Sequence, residues 1–295
     1  HGFTVLLAGE RTVIVIQSQP IAAYNEAIKG FEEACKRNNI SIAEIYDLKG
    51  DIDEGKRVIK NIKDDKLRPD LILTVGILAT TLVKEQFTDI PIIFCMVINH
   101  ERFNLEGANM TGISSEASIG VQFGVLKELL GTQKNVGVIY DPMKTGKIVS
   151  EADLVAKGIE FNLIKAGVGS ESEVASALTG IVNKIDALWI MPDGTVVTKE
   201  SLEIILKMSL KHRLPVFCTS SAIVRAGALV SISPDYRQTG IQAAQLAQTL
   251  LNSPKVISLG VKQPDKLKVT LNTQTAGTIR VDISPLRSRP DVVLY

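Results

Sequence analysis

The chain alternates short apolar runs with longer amphipathic stretches from about residue 12 to residue 271. Runs such as Leu71–Val75 are rich in β-branched residues and end in polar turns, which is typical of buried parallel strands. The stretches between them carry apolar residues at helical spacing, as Ala27, Ile28 and Phe31 do. Regular alternation of strand and helix predicts parallel sheets covered by helices on both faces.

The same strand, turn, helix and strand pattern occurs twice, at residues 70–96 and 186–221. Val136 lies 123 positions after Val13 (136 − 13), and Pro215 lies 124 positions after Pro91 (215 − 91), although the two patterns themselves start 116 positions apart (186 − 70). The sequence therefore predicts an α/β protein with two Rossmann-like, doubly wound lobes. We assign residues 11–116 and 234–262 to lobe 1, and residues 117–233 and 263–295 to lobe 2.

The pattern also predicts individual elements. Residues 109–113 are expected to form an edge strand of the first sheet, and a helix is expected over residues 145–157, followed by a strand at 159–164. Residues 228–233, 236–251 and 267–271 are expected to cross between the lobes and complete both sheets. The remaining predicted strands are 12–16, 41–46, 71–75, 91–96, 136–140, 187–191 and 215–218.

Composition restricts the function classes. The chain has 33 Lys and Arg against 32 Asp and Glu, and the formal net charge of +1 argues against a nucleic-acid partner. No stretch is long and apolar enough for a membrane span. The three cysteines and the histidines have no metal-ligand spacing. Motifs for a catalytic serine or a phosphate-binding loop are absent or incomplete, so the sequence predicts a non-enzymatic binder without metal or cofactor.

Candidate ligand residues follow from the geometry of parallel sheets. Ligands collect at the carboxyl ends of the strands, beside helix N-termini that attract anions. The amides of Ala79 and Thr80 are expected to hold a carboxylate, and Asp193 and Asp235 to neutralise an ammonium group, although each aspartate also suits a turn or a helix cap. The predicted binding set is Gln17, Ser18, Gln19, Gly76, Ile77, Ala79, Thr80, Asn99, Tyr140, Asp193, Thr195, Ser220 and Asp235.

Several segments carry a resemblance to a known family. The chain resembles the substrate-binding proteins of ABC transporters whose studied members bind tryptophan and other aromatic amino acids. The similar segments are residues 20–31, 69–73, 90–94, 109–113, 136–142, 225–229 and 235–240.

The resemblance implies a type I periplasmic-binding-protein fold, in which two lobes joined by three crossovers close on a small ligand, here an amino acid. It also implies an ABC permease as partner and a location in the periplasm or on the outer face of the membrane, with a lipid anchor as an option. Residues 1–10 are interpreted as the remnant of an export signal or as leftover expression sequence. Ile77 and Leu78 depart from the family, where a hydroxyl residue and then proline follow the third strand.

Other functions fit the same fold. An extracytoplasmic sensor domain of a signalling system would use a similar cleft, and a neighbouring permease gene would favour transport instead. A doubly wound enzyme would need a nucleophile that the sequence does not offer. A cytoplasmic repressor of this fold would carry an N-terminal helix-turn-helix, which this chain lacks.

Overall fold

The computed structural model describes residues 10–66 and 68–295, so residues 1–9 of the predicted leader lie outside the described part. The chain divides into two compact units. The first contains the residues up to Glu116 together with Pro234–Lys266, and the second contains Ala117–Ser233 and Leu267–Tyr295. The chain therefore passes from one unit to the other three times, after residues 116, 233 and 266.

The first unit contains β1 (Thr12–Gln17), α1 (Ala22–Arg37), β2 (Ser41–Asp47), α2 (Ile52–Asp64), β3 (Leu71–Val75), α3 (Ile77–Gln86), β4 (Ile92–Cys95), β5 (Met110–Ile113), α9 (Tyr236–Leu251) and β11 (Gly260–Lys262). A short 3₁₀ helix covers His100–Phe103. The strands form a parallel sheet in the order β11-β5-β4-β3-β1-β2.

Both faces of the first sheet are buried. Along β1, Val13 and Val15 pack with residues of α1 and α9, whereas Ile14 and Ile16 pack with residues of α2 and α3. Helices α1 and α9 pack backbone against backbone: a Cβ atom on Gly240 would overlap the carbonyl oxygen of Ala27. Only glycine allows this approach.

The second unit contains α4 (Ile119–Leu130), β6 (Asn135–Tyr140), α5 (Pro142–Gly158), β7 (Asn162–Gly167), α6 (Val174–Ile181), β8 (Ala187–Trp189), α7 (Lys199–Lys211), β9 (Val216–Cys218), α8 (Ser221–Arg225), β10 (Val230–Pro234), β12 (Leu267–Leu271), α10 (Thr273–Ile279), α11 (Ser284–Arg287) and β13 (Val292–Leu294). A 3₁₀ turn covers Glu171–Glu173. The strands lie in the order β13-β12-β10-β9-β8-β6-β7.

Strands β6 to β10 are parallel, whereas β12 runs against β10. The direction follows from two backbone hydrogen bonds, from Asp235 N after β10 to Lys266 O before β12, and from Asn272 N after β12 to Leu229 O before β10. Trp189 fills the core of this unit. Its ring meets Phe123 edge to face at 5.0 Å.

Several predicted elements differ from the structure. Helix α5 begins at Pro142, three residues before the predicted start, because Asp141 caps it and proline suits the first helical turn. Strand β7 covers Asn162–Gly167, three residues later than predicted, because α5 continues to Gly158 and the chain then turns through Glu160 at φ 66°. Strand β5 is not an edge strand, since β11 pairs with it. Strands β10 and β12 both belong to the second sheet, so they do not complete both sheets.

None of the helices in the described ranges is long and apolar enough to cross a bilayer.

Candidate functional site

The predicted turns of the first unit lie together at one edge of its sheet. Because the strands are parallel, β1, β3 and β4 all end there, at Gln17, Val75 and Cys95. We call this the first carboxyl edge. The turns after β1 and β3 are joined by a hydrogen bond from Ser18 N to Val75 O at 2.8 Å. Gln17, Ser18 and Gly76 are thus brought together as the sequence predicted.

Helix α3 begins at this edge with an unusual backbone. Gly76 has φ 92° and ψ 165°, a conformation that is costly for any other residue. Gly76 has no side chain to cap the helix, and Ser18 supplies the missing group: its Oγ accepts a hydrogen bond from Ala79 N at 2.9 Å. The amides of Ile77 and Leu78 meet no acceptor among the described residues. Such open amides at a helix start favour an anion.

The two amides predicted to hold a carboxylate, those of Ala79 and Thr80, both have acceptors within the protein. Ala79 N is used by Ser18, and Thr80 N donates to Gly76 O at 3.2 Å, so neither amide is available to a ligand. The Thr80 hydroxyl is also used, because it donates to Gly76 O at 2.7 Å and lies 2.9 Å from the Thr74 hydroxyl. The amides at the start of α3 that have no acceptor among the described residues lie two residues earlier than the predicted pair. The sequence pattern did not indicate that Ser18, from the turn after β1, would cap α3.

The two glutamines of the first turn have opposite environments. Gln17 is only 8% exposed, and its Oε1 receives no hydrogen bond from the described residues. Gln19 is exposed. A buried side-chain carbonyl oxygen without a donor is rare in folded proteins, because burial removes its hydrogen bond to water and no other bond replaces it. Of these two predicted residues, Gln17 is therefore the one whose side-chain oxygen lacks a hydrogen-bond donor.

Asn99 lies on the loop after β4 in a left-handed conformation, with φ 52° and ψ 49°. Its backbone N–H donates to Glu116 Oε1 at 2.6 Å. Burial raises the pKa of Glu116, while the hydrogen bonds from Asn99 and Ser114 act in the opposite direction. Glu116 was not predicted as a site residue. The feature of the sequence that could have indicated it is its position three residues after the end of β5.

In the second unit, two aspartates follow neighbouring strands, Asp141 after β6 and Asp193 after β8. The side-chain carboxylate of Asp193 accepts four hydrogen bonds. Its Oδ2 accepts from Asp141 N at 2.8 Å and from the Thr145 hydroxyl at 2.5 Å. Its Oδ1 accepts from Thr195 N at 2.9 Å and from Val196 N at 3.3 Å. The carboxylate thus ties the two turns into one rigid network.

Asp141 completes this network. Its Oδ2 accepts from the Thr195 hydroxyl at 2.7 Å, and its Oδ1 accepts from Met143 N at 3.0 Å. The pKa of Asp141 is lowered, mainly by the Thr195 and Met143 hydrogen bonds and further by the positive charge of Lys144. The ionised carboxylate is therefore the form that the folded unit favours.

This geometry corrects the role predicted for Asp193. A carboxylate has about four acceptor positions, and the protein fills them all at this 3% exposed residue. No oxygen remains for a ligand ammonium group, so Asp193 positions the turns instead. The Thr195 hydroxyl is likewise held by Asp141. Asp141 and Thr145 were not in the predicted set, although the sequence placed both after a strand.

Three predicted residues remain. Tyr140 ends β6 and Ser220 precedes α8, both in the second unit. Asp235 belongs to the first unit. It caps α9, with Oδ1 accepting from Gln238 N at 3.3 Å. Its Oδ2 receives no hydrogen bond from the described part of the chain, so one oxygen is open.

The His, Cys, Asp and Glu side chains of the described residues were compared with the arrangements that bind metals, and the cysteines with those that react as thiolates. The described residues contain no group of three or more His, Cys, Asp and Glu side chains arranged for a metal ion. Burial raises the pKa of Cys95 and of Cys218 to about 12, which keeps both thiols protonated.

Comparison with solved structures defines the class of fold. The ligand-free, open structure of a substrate-binding protein with adhesive properties from Clostridium difficile matches with a TM-score of 0.82, 22% identity and coverage of 97% of this chain and 99% of that one. An ABC domain in complex with L-Trp from Streptococcus pneumonia matches with a TM-score of 0.69, 20% identity and coverage of 96% and 100%. An arabinose-binding protein from Geobacillus stearothermophilus matches with 0.63, 12% and coverage of 92% and 99%. The fold is the two-lobe periplasmic-binding-protein fold of type I.

The family follows from the sequence comparison. The model of the ABC transporter substrate-binding protein family matches residues 11–286, and the chain belongs to this family. A curated relative is a tyrosine-binding protein of Clostridioides difficile, strain R20291, which is 26% identical over 255 residues, covering 84% of this chain and 72% of the relative. The resemblance read from the sequence is confirmed, as is the predicted fold.

Proposed function

We propose that this protein is the extracytoplasmic solute-binding component of an ABC importer and that its ligand is an amino acid. The observation that carries the proposal is the family match over residues 11–286. The amino-acid class is supported by the tyrosine-binding relative and by the L-Trp bound to a structural neighbour. The arabinose-binding neighbour shares the fold, so the fold by itself does not select the ligand.

The first carboxyl edge supports a zwitterionic ligand. The open amides of Ile77 and Leu78 suit the ligand carboxylate, because α3 concentrates partial positive charge there. Asp235 lies at the start of α9 in the same unit, and its open Oδ2 suits the ammonium group. This assignment moves both contacts away from Ala79, Thr80 and Asp193, whose polar groups serve the protein itself.

Transport requires more than binding. We propose that ligand contacts from both units favour a closed state, that the loaded protein then engages a membrane permease, and that this takes place outside the cytoplasm. Tyr140 and Ser220 are the remaining candidates for contacts from the second unit. Small-angle scattering with and without ligand tests the closing step, because a closed state has a smaller radius of gyration.

The binding experiment combines native mass spectrometry of the purified protein with calorimetric titration of L-tyrosine, L-tryptophan and L-arabinose. Binding of an amino acid is expected, and its carboxamide derivative should bind about tenfold more weakly or worse, because the carboxylate at α3 is lost. A response to arabinose with none to any amino acid would contradict the ligand class. It would leave the family assignment intact.

A matched pair of variants tests the ammonium contact. Asp51 caps α2 through its side chain, as Asp235 caps α9, but Asp51 is not a candidate ligand residue. Asp51→Asn and Asp235→Asn should lower stability by similar small amounts. Only Asp235→Asn should also weaken amino-acid binding, by about 1–3 kcal/mol. Equal affinities in the two variants would remove Asp235 from the site.

A further inference from the structure

Gln17 differs from the other buried glutamines of the described chain. Gln122 donates to Ala117 O and accepts from Trp189 Nε1, and Gln242 donates to Gln263 O and accepts from Asp265 N. Both ends of those two carboxamides are therefore used. Gln17 is buried to a similar degree, yet its Oε1 has no donor among the described residues. We therefore expect this oxygen to accept a hydrogen bond from a molecule other than the protein.

The position of Gln17 points to a ligand as that partner. It is the last residue of β1, at the first carboxyl edge, and it stands in register with Val75, directly before Gly76. The other unfilled buried atoms among the described residues are hydroxyl oxygens of Ser201 in α7 and Ser231 in β10, both in the second unit. Only Gln17 shares an edge with the open amides of α3.

The chemistry of the position restricts the donor. By strand alternation, Gln17 lies on the face of β1 that carries Val13 and Val15 in the apolar cluster with α1 and α9. Tyr24 packs against the same cluster, and burial raises the pKa of its hydroxyl. An uncharged acceptor in apolar surroundings suits an uncharged donor, since burying an ammonium group there would be costly. A phenol O–H or an indole N–H combines such a donor with a large apolar body.

We propose that Gln17 is the specificity-determining residue of the site and that its Oε1 accepts a hydrogen bond from the ring donor of an aromatic amino acid, the phenol of tyrosine or the indole of tryptophan. This inference rests on the proposed function. It goes further by naming the atom that distinguishes ligands with a ring donor from those without one. A site with a buried acceptor rejects a ligand that leaves the acceptor unpaired.

The test uses two pairs of ligands that differ mainly in the ring donor: L-tyrosine with L-phenylalanine, and L-tryptophan with its benzothienyl analogue, in which sulfur replaces the indole N–H. Calorimetric titration gives the affinity ratio within each pair. The wild-type protein should prefer the donor-bearing member of at least one pair by about tenfold or more. In Gln17→Met this ratio should fall to about twofold or less, and in Gln17→Glu, which keeps an acceptor, the preference should return.

Stability provides an independent readout. Gln17→Met removes an unpaired polar group, so the ligand-free variant should melt at the same temperature as the wild type or higher. The control is Gln242→Met in the same unit, which leaves Gln263 O and Asp265 N without their partner. The control should melt lower and keep the wild-type affinity ratios. The opposite order of melting temperatures would overturn the inference.

The outcomes separate this inference from the proposed function. Binding of amino acids with no preference in either pair, or with a preference that Gln17→Met leaves unchanged, overturns the inference alone. Failure of every amino acid to bind the wild-type protein overturns the inference together with the amino-acid assignment.

Discussion

Replacing Gly76 by alanine should destabilise the first unit strongly. The conformation of Gly76, φ 92° and ψ 165°, is one that other residues adopt only at a cost of about 1–3 kcal/mol. A Cβ atom there would also lie 2.6 Å from Ser18 Oγ and 2.8 Å from the Tyr24 hydroxyl. Moving Ser18 would break its bond to Ala79 N, which as a helix cap is worth about 1 kcal/mol. Together these effects predict a loss of about 2–4 kcal/mol.

Two other glycines separate the contributions. Gly131 has φ 62°, but an alanine methyl group there would meet no other residue within 4 Å, so Gly131→Ala should show the backbone cost alone. Gly120 lies in α4 with equally open space, and Gly120→Ala should stabilise by about 0.5–1 kcal/mol. Urea unfolding followed by circular dichroism measures all three, and hydrogen exchange of α3 peptides locates the loss. A change below about 1 kcal/mol for Gly76→Ala would refute the argument.

Three further predictions concern carboxyl groups. Asp193→Asn places a donor among the four donors that Asp193 accepts from, so urea unfolding followed by Trp189 fluorescence should show a loss of about 1–3 kcal/mol. The pKa of Asp141 is lowered in the folded state, so its stabilisation is full above the unfolded value of 3.8 and is lost as pH falls through the folded value. In Asp141→Asn, the free energy of unfolding should therefore change less with pH on the acid side than it does in the wild type. The pKa of Glu116 is raised above 4.5, so its contribution is full below that value and is lost as pH rises through the folded pKa. Glu116→Gln should therefore be more stable than the wild type at neutral pH, and an unchanged pH profile would contradict this.

Most of the fold could be predicted because apolar periodicity reports burial directly. Strand β3, helix α9 and strand β12 begin and end where the pattern predicted. Strand β11 could not be predicted in this way, since its three residues are all exposed and carry no apolar pattern. Its place in the sheet depends on pairing with β5, which is a contact between segments about 150 positions apart.

The candidate site was harder to predict than the fold. Placement after a strand predicted that the turns at Gln17 and Gly76 lie together, and they do, since parallel topology brings strand ends together. It did not indicate which polar atoms the protein uses for itself. The Ser18 contact to Ala79 joins residues 61 positions apart, and the Asp193 contact to Thr145 spans 48. Such pairings are fixed by tertiary packing, and the sequence pattern of either turn alone does not contain them.

The order of segments along the chain has a consequence for biosynthesis. The Ala27 and Phe31 face of α1 is covered by α9, which is translated only after the whole segment 117–233. At ribosomal rates, residue 251 follows residue 116 by about 7 to 27 s. During that interval the nascent first unit has exposed apolar surface and no native partner for it, while segment 117–233 is being synthesised. Molecular chaperones could therefore bind the unfolded first unit during this interval.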